Sequence, residues 1–177
     1  NQGSSGVLTL SGAIGGPGGL VKQGSGSVAL NGANTYLGPT AIQAGVVNYN
    51  VANAIPAASP VTVGAGIGAP GSAQLVINTG VPAAGALNVT LASDGVVIQG
   101  NNRLVRLASV GGTGEMRINP TVGQLFEISG TGGDSTLSGL VTGGIGTASF
   151  DPNAGSRLAK GGPSTLTLTG ANTFAAR

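Results

Sequence analysis

Five carboxylates are all the acid in this chain: Asp94, Glu115, Glu127, Asp134 and Asp151. Histidine and cysteine are absent, which removes zinc sites of the usual kind and histidine-based catalytic triads. Hydrolysis of a glycoside needs two carboxyl groups about 5–10 Å apart. Glu115 and Glu127 fall on neighbouring predicted strands and are the one pair that a short coil would bring together. Two surface charges pairing with Arg117 or Arg106 account for them better. A calcium-assisted lyase would need several acids around its ion, and these are scattered. A Ser–Lys pair would fall to Lys22 or Lys160, but both hold the same place in an internal repeat. A lysine snorkelling beside a turn fits that placement better. The expectation is a protein that is not an enzyme and uses no metal or cofactor.

Arg103, Arg106 and Arg117 form the one basic cluster. It can meet an anionic glycan or lie on an ordinary solvated face. A formal charge of +2 with only 7% charged residues gives no basis for nucleic-acid binding, although the pI is near 9.5. Gly64-Ala65-Gly66-Ile67-Gly68 and Gly112-Thr113-Gly114 look like phosphate-cradling loops, yet neither opens a helix or leads into Gly-Lys-Ser/Thr. Gly132-Gly133-Asp134 echoes a calcium-binding nonapeptide, but a single copy is not an array.

The elements that must position these residues are short strands. Glycine supplies 35 of the 177 residues, and 40% are hydrophobic with a mean hydropathy of +0.32. That hydropathy argues against disorder, and Val, Leu, Ile and Ala in short runs between glycines read as strands and tight turns. No window keeps an apolar 3.6-residue period without Gly or Pro, and no apolar run reaches membrane-spanning length. The start at Asn1, with no charged-then-apolar leader, reads as a mature or excised piece. Strands are predicted at 7–11, 27–31, 40–43, 46–50, 61–63, 74–78, 86–91, 96–99, 104–108, 115–118, 124–129, 136–141, 147–150 and 165–169. Residues 15–19 and 64–71 read as glycine turns.

Spacing this tight leaves a β-sandwich, an antiparallel barrel or a parallel β-helix, and an internal repeat decides. Thr9-Leu10-Ser11-Gly12 recurs as Thr136-Leu137-Ser138-Gly139. Gly32-Ala33-Asn34-Thr35 recurs as Gly170-Ala171-Asn172-Thr173, at a longer offset, so the second copy carries a loop insertion, placed near 145–155. A solenoid tolerates such an insertion because each coil touches only its neighbours. The predicted fold is all-β, a right-handed parallel β-helix of about four to six coils, forming one segment over 1–177 with repeat copies near 9–50 and 136–174. The recurring positions are Lys22, Gly32, Asn34 and Tyr36, answered by Lys160, Gly170, Asn172 and Phe174. Asn34 and Asn172 should turn corners, by a left-handed backbone or by side-chain bonds to turn amides. Tyr36 and Phe174 should hold equivalent corners.

Gly18-Gly19-Leu20-Val21-Lys22-Gln23-Gly24-Ser25-Gly26-Ser27-Val28-Ala29-Leu30-Asn31-Gly32-Ala33-Asn34-Thr35-Tyr36 resembles the passenger-associated transport repeat of autotransporters, large cell-surface proteins of Gram-negative bacteria. Leu158-Ala159-Lys160-Gly161-Gly162-Pro163-Ser164-Thr165-Leu166-Thr167-Leu168-Thr169-Gly170-Ala171-Asn172-Thr173-Phe174 resembles it again, without the middle glycine-any-glycine. The resemblance implies an extracellular parallel β-helix exported across the outer membrane by a barrel that is not in this sequence. It specifies no ligand. The expected function is an extracellular structural or adhesive module. The alternatives are a filament subunit stacking end to end, its last coil breaking off at Ala175-Ala176-Arg177, and, more weakly, a β-helix that binds or cleaves polysaccharide. Expected partners are flanking β-helix coils, of the same chain or a neighbouring copy, and host or self surface glycans or proteins.

Overall fold

The computed structural model describes residues 6–78, 87–100, 104–118, 125–143 and 157–173, which contain nineteen strands and no helix. The strands lie on three faces, the second of which has no described strand between Tyr36 and Leu104. Face 1 stacks β1 (Val7–Leu10), β4 (Ser27–Leu30), β7 (Gly45–Tyr49), β9 (Ala73–Ile77), β11 (Gly95–Gln99), β14 (Glu115–Ile118) and β17 (Val141–Gly143). Face 2 holds β2 (Gly15–Gly16) with β5 (Thr35–Tyr36) early in the chain, then β12 (Leu104–Leu107), β15 (Leu125–Ile128) and β18 (Arg157–Lys160). Face 3 stacks β3 (Leu20–Lys22), β6 (Thr40–Ile42), β8 (Val61–Val63), β10 (Asn88–Leu91), β13 (Ser109–Gly112), β16 (Ser135–Leu137) and β19 (Leu166–Leu168). Every pairing among the described residues is parallel, as between β1 and β4 or β16 and β19. The fold is therefore the expected parallel β-solenoid. It makes about six turns of uneven length. Ser27 and Val46 are register partners across a short turn, Ser135 and Leu166 across a long one.

The register turns strand alternation into vertical files. On face 1, Leu8, Val28, Val47, Leu75, Val97, Met116 and Val141 lie one above another inside the coil. On face 3, Ile42, Val63, Leu91, Gly112, Leu137 and Leu168 do the same. Tyr49 and Phe126 are the largest fully buried side chains. Burying one such residue contributes about 1.5–3 kcal/mol, so each inward file is a major source of cohesion between turns. Strands at about 4.8 Å spacing make the seven-stranded faces roughly 29 Å tall.

Several short strands differ from expectation. Residues 15–16, read as a turn, form β2, because β5 lies parallel to it one turn later. β3, β13 and β18 were not foreseen because they are brief and border glycine. The run expected as one strand over 136–141 breaks into β16 and β17, because Gly139 packs against the rung below at a corner, where a Cβ would run into the Gly114 carbonyl. The expected strand at 147–150 and the insertion near 145–155 lie outside the described residues.

Candidate functional site

β3 puts Leu20 and Lys22 inward and Val21 outward, so Lys22 lies beneath Ile42 in the face-3 file. The chain turns immediately after it. The ammonium reaches the turn and donates to the carbonyls of Gln23 (2.9 Å), Gly24 (2.5 Å) and, one turn above, Ala44 (3.0 Å). Three acceptors match its three protons. The bonds satisfy corner carbonyls that no strand partner reaches. Lys22 is buried, and burial lowers its pKa from the ordinary 10.5. Lys160 repeats the arrangement at the end of β18, above Leu107 and Ile128 in the face-2 file, donating to the carbonyls of Gly161 and Gly162.

Asn34 joins three turns. Its Oδ1 accepts from the Ile14 amide at 2.8 Å and its Nδ2 donates to the Ala54 carbonyl at 2.6 Å. Asn172 accepts from the Val141 amide at 3.0 Å. Side-chain bonding, not a left-handed backbone, is thus how these asparagines act; among described non-glycine residues only Asn53 has positive φ, at 56°. Gly32 and Gly170 sit against the carbonyls of Gly12 and Gly139, where any Cβ would collide. The Tyr36 ring is buried, and its hydroxyl bonds Thr40 Oγ1 at 2.6 Å; Thr40 in turn meets Ser59 Oγ at 2.9 Å. Burial raises the Tyr36 pKa, opposed by those hydroxyl contacts. Phe174, the expected equivalent of Tyr36, lies outside the described residues.

The two copies share chemistry but not position in the cross-section. In the first, a face-3 strand (β3) leads through the lysine turn to a face-1 strand (β4) and then to Asn34. In the second, a face-2 strand (β18) leads to a face-3 strand (β19) and then to Asn172. Both copies encode strand, lysine turn, strand and asparagine corner, starting from face 3 in one and face 2 in the other.

The charged residues disperse. Arg106 on β12 pairs with Glu127 on β15 across one rung at 2.6 Å. Arg117 holds Glu115 within β14 through two bonds, of 2.9 and 2.7 Å. The two described arginines of the cluster therefore stand on different faces, each beside a carboxylate, and Arg103 lies outside the described residues. Glu115 and Glu127 are likewise on different faces. Burial alone would raise the Glu115 pKa; bonds from Arg117 and Thr142 outweigh it and hold it below 4.5. Exposed pairs of this kind contribute about 0–1 kcal/mol. Asp134 accepts from the Thr165 amide at 2.6 Å, and Asp151 lies outside the described residues.

Asp94 was not singled out from sequence. It is fully buried and accepts from the amides of Ala65 (3.3 Å), Gly66 (2.7 Å) and Gly68 (2.9 Å), fixing the glycine loop over 64–71. Burial raises its pKa, but these amide bonds prevail and leave it below 3.8. The available signal was an Asp-Gly turn lying about one coil after a glycine-rich loop. Asn31, Asn50 and Asn78 form a second unforeseen device, an amide ladder with bonds of 2.8 and 2.9 Å at the end of face 1.

Among protein-family models, residues 20–48 and 158–176 match the passenger-associated-transport-repeat. The resemblance read from the lysine turns and Gly-Ala-Asn-Thr corners therefore holds for both copies, and a parallel solenoid carrying them fits an autotransporter passenger β-helix. No curated protein and no solved structure matches the chain.

Proposed function

We propose that this chain is a structural stretch of an autotransporter-like passenger, an extracellular or surface-held β-solenoid that supports other parts and carries out no catalysis of its own. One observation carries the reading. The described side chains that recur between the copies, Lys22 with Lys160 and Asn34 with Asn172, all bond backbone groups of the coil itself. Side chains directed at a ligand would have to come from outside the repeat. The outward column of face 3 offers small uncharged residues for adhesive contact with surface glycans or proteins: Ala41, Thr62, Thr90 and Thr136.

The test is to fuse the chain to an outer-membrane autotransporter barrel in a Gram-negative host. Protease-resistant chain should appear at the cell surface, and Asn34→Ala should reduce the resistant fraction. The purified chain should release no reducing ends from neutral or anionic polysaccharide. Turnover abolished by Glu115→Gln with Glu127→Gln would overturn the non-catalytic reading. A chain that stays protease-sensitive or never reaches the surface would overturn the scaffold.

A further inference from the structure

We propose that Asn31 is a site of spontaneous covalent change, where its side-chain carbon closes on the Gly32 nitrogen, and that the asparagine ladder above it sets the rate. Asn31-Gly32 is the one Asn-Gly pair in the sequence. Glycine has no side chain to crowd the ring that must form, and its backbone reaches conformations closed to other residues. The Gly32 nitrogen attacks Asn31 Cγ, the Cγ–Nδ2 bond breaks, and ammonia leaves with the amide proton, giving a succinimide. Water then opens the ring at either carbonyl. One opening gives aspartate. The other gives isoaspartate, whose main chain runs through the former side-chain carbon. In sum the site takes up one water and releases one ammonia, with no change of oxidation state.

The fold leaves this pair open and closes its nearest equivalent. Asn31 is exposed just after β4, and among the described residues the Gly32 amide finds no acceptor. Asp94-Gly95, the one Asp-Gly pair, can form the same ring in principle. Its carboxylate, however, is held by the amides of Ala65, Gly66 and Gly68, and the Gly95 nitrogen donates to the Ala92 carbonyl at 2.9 Å. Asn50 and Asn78 follow β7 and β9 as Asn31 follows β4, but the next residues in sequence are Val51 and Thr79, whose β-branches crowd such a ring. What restrains Asn31 is Asn50 Nδ2, which donates to its Oδ1 at 2.8 Å, while Asn78 Nδ2 holds Asn50 at 2.9 Å. That bond draws the Asn31 side chain toward the turn above and away from its own main chain. It also polarises the carbonyl, but water does the same at an exposed amide, so restraint outweighs activation. The two products differ in consequence. Aspartate keeps an oxygen that accepts from Asn50. Isoaspartate lengthens the main chain where Gly32 already lies against the Gly12 carbonyl, leaving no room for a Cβ, so the corner must shift. Asn34, two residues on, then loses its bonds to Ile14 and Ala54.

The test is to hold the intact chain at neutral pH in heavy-oxygen water for weeks, beside a short peptide carrying Leu30-Asn31-Gly32-Ala33. Peptide mapping by mass spectrometry should show Asn31 gaining one labelled oxygen, as aspartate and isoaspartate, more slowly than in the peptide, with Asp94 unchanged. Asn50→Ala should speed conversion in the folded chain about two- to tenfold, the worth of one ordinary hydrogen bond. Met116→Ala empties a buried place on face 1 two rungs above β9 and leaves the ladder untouched, so its rate should match wild type. Circular dichroism and melting curves confirm that each variant is folded. The isoaspartate form, separated by ion exchange, should melt below both wild type and Asn31→Asp. Asn31 still intact once the peptide has fully converted overturns the proposal. So does an Asn50→Ala rate equal to wild type, a Met116→Ala rate raised as much as that of Asn50→Ala, or Asp94 converting as fast as Asn31. None of these outcomes depends on surface display, so the scaffold reading stands or falls separately.

Discussion

Replacing Asp94 with alanine removes the acceptor that organises residues 64–71. The carboxylate is fully buried and takes amide bonds of 2.7 Å from Gly66, 2.9 Å from Gly68 and a long 3.3 Å from Ala65. A hydrogen bond to a charged group contributes about 1.5–3 kcal/mol, and bonds sharing one acceptor group do not add fully. Two good bonds and one weak one place the loss for Asp94→Ala at about 3–5 kcal/mol. At about 2–4 °C per kcal/mol for a chain of this length, the midpoint should fall on the order of 10 °C. Asp94→Asn keeps one acceptor oxygen but turns an NH2 toward the remaining donors, so about half the loss is expected. The folded pKa lies below 3.8, so on acidification the unfolded chain takes up the proton first. The contribution is therefore complete above the unfolded value and disappears as pH falls through the folded one. The advantage of wild type over Asp94→Asn should be level near neutrality and shrink below about pH 4. Urea unfolding followed by circular dichroism from pH 7 to 3 measures this, with proteolysis reporting on 64–71. A cost under about 1 kcal/mol for Asp94→Ala at pH 7, or an advantage that grows on acidification, would refute the assignment.

Two further predictions concern the core and the corners. The Tyr49 pKa is pushed up to about 12 chiefly by burial, with a smaller push from Tyr36, against backbone bonds from Asn53 and Ala54. A raised phenol stabilises the fold below its unfolded value of 10, and that contribution is lost as pH rises to 12, about 2–3 kcal/mol in all. Tyr49→Phe should remove most of this alkaline slope in melting temperature; an unchanged slope would assign it elsewhere. Gly139→Ala drives a Cβ into the Gly114 carbonyl and should cost about 3 kcal/mol or more, whereas Gly12→Ala meets nothing within 4 Å and should change stability by less than about 0.5 kcal/mol. Denaturant midpoints that fail to separate these two variants would contradict the stacked-corner geometry.

The solenoid was legible because its inward files are written as strand alternation, as in Val28 and Leu30 or Val61 and Val63, and because Lys22 and Asn34 recur in order as Lys160 and Asn172. Local pattern could not show β2, since Gly15 and Gly16 have no strand signal and exist as a strand only through β5. Asp94 was hidden for a related reason: its partners lie about one coil earlier in the chain, and only a knowledge of coil length would bring them together. Two of the three clustered arginines separate because nearness in sequence says little about side in a coil. Arg106 and Arg117 are close in sequence and stand on different faces.

The offset of one face between the repeat copies has a consequence for how such a chain can grow and be read. A unit that works from two different faces of the coil can be duplicated with a fraction of a turn left over, because only rung-to-rung contact has to be preserved. Copies then spiral around the axis like treads on a staircase. A rigid, flat partner recognising one lysine turn would meet the other on a different flank, so the two copies could not serve it as a bivalent site.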